Sequence, residues 1–169
     1  MQTTANPGAP AAHAEPVAPA APATLDHAGI AALIPHSGSM CLLARLDAWD
    51  AQRIRCSAVN PRDPQHPLRT ASGLLAPAAI EYAAQAMALH GALIGQAAGS
   101  AGRPGFLAST RGVRLHRLRL DDLDGDLQIE AVRQAGDTTQ ILYSFSVTHA
   151  GAPLADGRAT VVLDTPLAS

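Results

Sequence analysis

Residues 77–96 carry a single charge, Glu81, in a run otherwise made of small and apolar side chains, and Glu81 is the only charged residue between Arg69 and Arg103. Pro77 suits the first turn of a helix, and a helix that is apolar all round must be enclosed on every side. The rest of the chain therefore has to wrap this segment. A carboxylate near the start of such a helix has to be paired, protonated or used. The plain alternative is that Glu81 only complements the helix dipole, worth about 0.3–1 kcal/mol. Two neighbours point further. Gln85 is four residues on and shares the face of Glu81. His66 lies just upstream, in a Pro-rich stretch leading into the helix. An acid, an amide and an imidazole converging on a buried helix start fit acid–base work better than capping.

The segments around this helix read mostly as strands. Residues 25–34 form a short helix or turn, with Asp26 as its N-cap, and Pro35-His36-Ser37-Gly38-Ser39 breaks it. Residues 40–49 and 52–60 form two strands joined at Asp50-Ala51, the second alternating Ile54, Cys56 and Ala58 with Arg53, Arg55 and Ser57. Residues 61–72 are a loop. After the helix come four strands, at 106–120, 126–134, 138–149 and 153–163, separated by turns rich in Asp and Gly. Two strands, one long helix and an antiparallel meander make an α+β architecture in which one sheet wraps one helix.

Composition narrows the function. The chain has 169 residues, enough for one domain plus a tail. Residues 1–24 hold five Pro and nine Ala with little that can pack, and read as a disordered tail; residues 25–169 form the domain. The tail has no Lys or Arg and no continuous apolar run, so it is not a secretory signal. No stretch is long and apolar enough for a membrane span. A net charge of −2 gives no bias toward nucleic acid. Cys41 and Cys56 fit no zinc spacing and read as free thiols, consistent with a cytoplasmic protein. The histidines show no metal-binding spacing, and no nucleophile elbow or phosphate loop is present.

Three motifs, in the order these elements require, resemble the 3-hydroxyacyl-acyl-carrier-protein dehydratases of the hotdog fold. Leu33-Ile-Pro-His36-Ser-Gly-Ser-Met40-Cys-Leu-Leu-Ala-Arg45 is similar to that family's opening "LPHR-xPF-LLVDR". Ile80-Glu81-Tyr-Ala-Ala-Gln85 is similar to its "LEAMAQ" helix, and Gly125-Asp126-Leu-Gln-Ile-Glu130 to its "GDxLxLE" strand start. The resemblance covers about residues 28–164 and is nearest to the branch associated with aryl polyene biosynthesis.

The resemblance implies dehydration of a 3-hydroxyacyl thioester on acyl carrier protein, with no dissociable cofactor and no metal. It implies Glu81 as the acid, His66 as the base, and Gln85 as the residue that orients Glu81 or the released water. A backbone N–H near Ala76 would face the thioester carbonyl. His36 is the alternative imidazole, in a motif that usually orders the chain. Arg111, Arg114, Arg117 and Arg119 read as a solvated strand face or as a dock for the acidic carrier protein and its phosphopantetheine arm. A dimer is implied, with a second copy or with another hotdog subunit. The chain has no "GHFPGxPxxPG" segment, which is the argument for a non-catalytic subunit supporting an active dehydratase partner. An acyl-thioesterase shares the implied fold and is the other alternative.

Overall fold

A computed structural model of the chain describes residues 22–100 and 105–163. The chain opens with a two-residue strand β1 (Leu25–Asp26) and a short helix α1 (His27–Ala31), capped as expected by Asp26, whose Oδ1 accepts from Gly29 N at 2.9 Å. A 3-10 turn at Gly38–Met40 leads to β2 (Arg45–Trp49) and β3 (Arg53–Ala58). Asp50 closes the hairpin between them, its Oδ1 accepting from the amides of Gln52 and Arg53. The central helix α2 spans Ala78–Ala97. The meander follows as β4 (Gly105–Leu115), β5 (Leu127–Gly136), β6 (Gln140–His149) and β7 (Ala152–Leu163).

All seven strands form one antiparallel sheet in the order β1-β2-β3-β5-β6-β7-β4. The helix therefore enters between β3 and β4 in sequence and lies on β3, β5, β6 and β7 in space. Strand alternation puts Ile54 and Cys56, Ile129 and Ala131, and Tyr143, Phe145 and Val147 on the helix side, all buried. The β6–β7 hairpin turns on Ala150 and Gly151, with φ of 48° and 80°. Such two-residue turns match the twist of the strands they join.

No α2 residue from Ala78 to Gly95 is fully exposed, as the apolar run requires. Among the described residues no helix is long and apolar enough to cross a membrane. The tail expected at residues 1–24 lies, through residue 21, outside the described residues. Pro22, inside that expected tail, is tied to the domain: its carbonyl accepts from the indole of Trp49 at 2.8 Å.

Two expected strands are shorter than read. The strand expected from residue 40 begins at Arg45, because the backbone of Met40 and Leu42 is engaged by Gln85 instead of a neighbouring strand. The strand expected to reach residue 120 ends at Leu115, and the chain from there turns back over the loop before α2. There Leu120 N donates to Leu74 O, and Asp121 pairs with Arg69 and Arg119. Gly73 lies under that ion pair, at φ +96°, and a Cβ on it would collide with the Arg119 guanidinium and the Asp121 carboxylate.

Candidate functional site

Glu81 sits in the first turn of α2, but it does not cap the helix. The early amides are already taken: Ala78 N donates to Leu75 O, Ala79 N to Ala76 O and Ile80 N to Pro77 O. The carboxylate instead faces Gln85 and His36. Gln85 Nε2 donates to Glu81 Oε1 at 2.9 Å, and His36 Nε2 lies 3.1 Å from the same oxygen.

The orientation of Gln85 is fixed by backbone groups that can act in only one way. Leu42 N can only donate, and Gln85 Oε1 accepts from it at 2.8 Å; Met40 O can only accept, and Gln85 Nε2 donates to it at 2.8 Å. The amide therefore presents a donor to Glu81. Gln85 is fully buried, whereas the side chains of Glu81 and His36 keep 32% and 27% of their exposure. The buried residue holds and the half-open pair faces the solvent-accessible cleft. His36 Nδ1 is itself buried and has no hydrogen-bond partner. The ring therefore meets the carboxylate through Nε2 and leaves Nδ1 unpaired on its other side.

Two of the three motifs of the family resemblance meet here, and the third touches one of them. Gln85 of the helix motif binds Met40 and Leu42 of the opening motif. Arg45, which ends that opening motif, reaches Asp126 of the strand motif, at 3.5 Å. Sequence reading places these segments in order; only the fold shows them in contact.

His66 is not brought to Glu81. Leu68 N donates to His66 Nδ1 at 3.2 Å, so the ring proton is on Nε2, which is 2.8 Å from the hydroxyl oxygen of Tyr82. Both ring nitrogens are thus occupied within this chain. Burial holds the His66 pKa below its ordinary value, and burial likewise pushes the Tyr82 phenol up, so both groups are neutral near pH 7. Tyr82, the residue after Glu81, was not among the sequence-predicted site residues; within an apolar helix its type alone reads as core. Within the described chain the imidazole that meets the acid is His36, from the motif expected only to order the chain.

Ala76 also departs from expectation. Its N–H donates to Leu118 O at 3.0 Å, and the residue is buried. The amide expected to face a thioester carbonyl is consumed by the segment that folds back over the loop.

The arginine cluster resolves into pairs. Arg114 binds Asp156, which also meets His116 Nε2 at 2.6 Å. Arg117 binds Asp122 and Arg119 binds Asp121. Arg111 has no acidic partner among the described residues and lies directly across from Arg158 in the β4–β7 register. The pair lines a shallow depression with Gln140 and Thr160. Arg158 was outside the expected cluster because it falls on another strand. Among the described residues no group of His, Cys, Asp and Glu is arranged to hold a metal ion.

His36 and Glu81 line a cleft of about 640 Å³ between α2, the segment after α1, and strands β4, β6 and β7. Its walls are apolar apart from those two groups and the Tyr143 ring.

One antiparallel sheet laid over one long apolar helix, with a carboxylate and an imidazole lining an apolar cleft beside it, defines a hotdog protein. The chain belongs to the ApeP-like family, described as ApeP dehydratase, which matches residues 28–168. Among solved structures it is similar to the dehydratase heterocomplex ApeI:P from Xenorhabdus doucetiae, with a TM-score of 0.72 and 22% identity over 81% of this chain and 91% of that one. It is similar in fold to a thioesterase from Haemophilus influenzae, with a TM-score of 0.60 and 12% identity over 85% of this chain and 94% of that one. A hypothetical thioesterase from Streptococcus pneumoniae, solved with coenzyme A, gives a TM-score of 0.52 and 12% identity over 70% and 83%. At these identities the structural matches establish the fold. No curated relative matches the sequence.

Proposed function

We propose that this protein dehydrates a 3-hydroxyacyl thioester carried on acyl carrier protein to the 2-enoyl thioester, within aryl polyene biosynthesis, and that His36 and Glu81 carry the reaction. The observation behind this reading is the 3.1 Å approach of His36 Nε2 to a carboxylate oxygen that Gln85 already holds as an acceptor, leaving His36 Nδ1 buried and without a partner.

The chemistry follows from that arrangement. The His36 imidazole, whose side chain keeps 27% of its exposure, takes the proton from C2 while Glu81 stabilises the imidazolium so formed. The Nε2 proton passes to Glu81 Oε1, and the carboxyl so formed delivers it to the departing 3-hydroxyl. That group leaves as water and the C2–C3 double bond forms. One proton is gained from C2 and one is given to the hydroxyl, so no cofactor or redox partner is needed. The ring proton re-equilibrates before the next turnover. The protein works in the cytoplasm in this reading. Arg111 and Arg158 are among the cations free to meet an acidic carrier protein, whereas Arg114, Arg117 and Arg119 are matched by aspartates.

The reading includes a partner subunit. β4 is an edge strand of 11 residues that exposes Phe106, Leu107 and Leu115, and an uncovered apolar edge of that length invites pairing with a second chain. The related ApeI:P assembly is a dehydratase heterocomplex, which favours a different hotdog subunit over a second copy. It also sustains the second reading, in which this chain supports an active partner without turning over substrate itself.

The test offers 3-hydroxyacyl-carrier protein and saturated acyl-coenzyme A separately, to the chain alone and with its co-purified partner. Enoyl product that disappears in Glu81→Gln, by about 10²–10⁴-fold in rate, supports the dehydratase reading. Free thiol from the saturated substrate identifies a thioesterase. Activity that needs the partner and survives Glu81→Gln assigns this chain the supporting role.

A further inference from the structure

The sheet has a second face, turned away from α2. Tyr143 and Ala159 are buried on the helix side, so their strand neighbours Leu142, Arg158 and Thr160 stand on the outer one. There they line, with Arg111, Gln140 and Asp137, an open depression of about 560 Å³. The cleft of His36 and Glu81 lies on the opposite face of the same strands.

Arg111 and Arg158 occupy directly opposed positions of β4 and β7, and both are exposed. Side chains so opposed have Cβ atoms about 5 Å apart, and like charges placed there repel. The arginines further along the chain are not left in this state: Arg114, Arg117 and Arg119 each have an aspartate. Arg111 and Arg158 have no acidic partner among the described residues. Asp137, the acid in the lining, commits Oδ1 to its own turn, where it accepts from the amides of Thr139 and Gln140. Gln140 adds an amide to the depression and Thr160 a hydroxyl. Two guanidiniums and two neutral donors thus share one concave surface, and among the described residues no acid pairs with either guanidinium.

We propose that this depression binds a phosphate monoester, its doubly charged phosphate held between the Arg111 and Arg158 guanidiniums while Gln140 and Thr160 donate to the remaining oxygens. The planar fork of a guanidinium matches two phosphate oxygens at once. Two such forks match the nearly two charges that a monoester carries above its second pKa of about 6, and the anion removes the repulsion that the empty pair suffers. The volume is in the range that small ligands occupy, about 300–1,000 Å³, so part of the group bearing the phosphate fits as well. The assignment goes beyond contact with an acidic carrier protein, which asks only for exposed positive charge. It does not depend on the chemistry at His36 and Glu81.

The experiment titrates glycerol 3-phosphate into the full chain, with its partner subunit where one co-purifies, at pH 8 and constant ionic strength. Calorimetry reads the binding and a thermal melt reads the stability. Wild type is expected to bind saturably and to melt higher with the ligand. Binding is expected to weaken about tenfold in Arg111→Gln and in Arg158→Gln, and to be unchanged in Arg55→Gln, which removes an exposed charge from β3. Without ligand, Arg158→Gln is expected to melt no lower than wild type, because it removes a like-charge pair. Dimethyl phosphate, a diester with one charge, is expected to bind more weakly than the monoester. Binding that never saturates overturns the proposal, as does binding that survives both glutamine variants in folded protein. Equal binding of dimethyl phosphate also overturns it and gives the pair to the phosphodiester of a carrier arm. An equal loss in Arg55→Gln overturns it in favour of general attraction to positive charge.

Discussion

Helix α2 contributes to two histidine-centred sites, and they differ in how fully the imidazole is satisfied. At the far end, His90 is fully buried, with Nε2 2.7 Å from Asp50 O and Nδ1 3.1 Å from the Tyr143 hydroxyl, and the ring packs edge-on to Trp49. A carbonyl can only accept, so Nε2 carries the proton and Nδ1 accepts from Tyr143. Every polar atom is used. At the near end, His36 and Glu81 are half-open, and His36 Nδ1 is buried with nothing to bind. Folding leaves few such groups unpaired; among the described residues the other is Arg69 Nη1, in the ion-pair cluster around Asp121. His66 sorts with His90, since both its nitrogens are bound by Leu68 N and Tyr82.

That contrast can be broken most severely at the satisfied end. His90→Ala removes a buried ring and strands both Asp50 O and the Tyr143 hydroxyl, so a loss of about 3–5 kcal/mol is expected from the cavity and the two unmet groups. Chemical denaturation measures it, and a loss below about 1 kcal/mol would mean that the cluster is not structural. Gln85→Ala comes next. It frees Leu42 N and Met40 O in the core and unmoors Glu81, with an expected cost of about 2–4 kcal/mol and a fall in kcat that Gln85→Glu does not repair, because a carboxylate cannot donate to Glu81.

The expected effect is smaller at His66. His66→Phe keeps the ring volume and leaves the Tyr82 hydroxyl without its partner, for about 1–2 kcal/mol, while turnover persists in the folded protein. The smallest effect is on pH dependence. Burial lowers the pKa of both His66 and His90 in the folded chain. The unfolded chain therefore binds protons that the folded chain refuses, and the stability these rings contribute is present above about pH 6.5 and lost as the pH falls through the folded values. A melting series from pH 7.5 to 5 should show this decline, and His90→Gln should flatten it. An equal slope in the variant would assign the decline to other groups.

The helix and the meander were legible because they rest on local patterns. The uncharged run at 77–96 becomes α2 at Ala78–Ala97, and the alternation around Tyr143 becomes β6 with Tyr143, Phe145 and Val147 facing inward. The family resemblance, read from three motifs, is borne out by the ApeP-like match. The geometry of the site was less legible. Glu81 and Gln85 share a helix face, so their contact follows from spacing alone. His36 is 45 residues away, and what brings its segment to Glu81 is the grip of Gln85 on the backbone of Met40 and Leu42. Backbone acceptors and donors leave no trace in side-chain identity. His66 lies nearer in sequence and in the expected loop, but its lone pair is taken by an amide two residues on, a local turn bond that residue type does not announce. Leu118 captures the Ala76 amide for the same kind of reason.

The most direct test of the central claim, that the half-satisfied imidazole is the working one, compares His36→Ala with His66→Ala. Both are assayed in the full chain, together with any co-purifying partner subunit, on a 3-hydroxyacyl-carrier protein, at a temperature where circular dichroism shows each variant folded. The account predicts a loss of at least about a hundredfold in kcat/KM for His36→Ala and retained turnover for His66→Ala. An inactive, folded His66→Ala beside an active His36→Ala would contradict it.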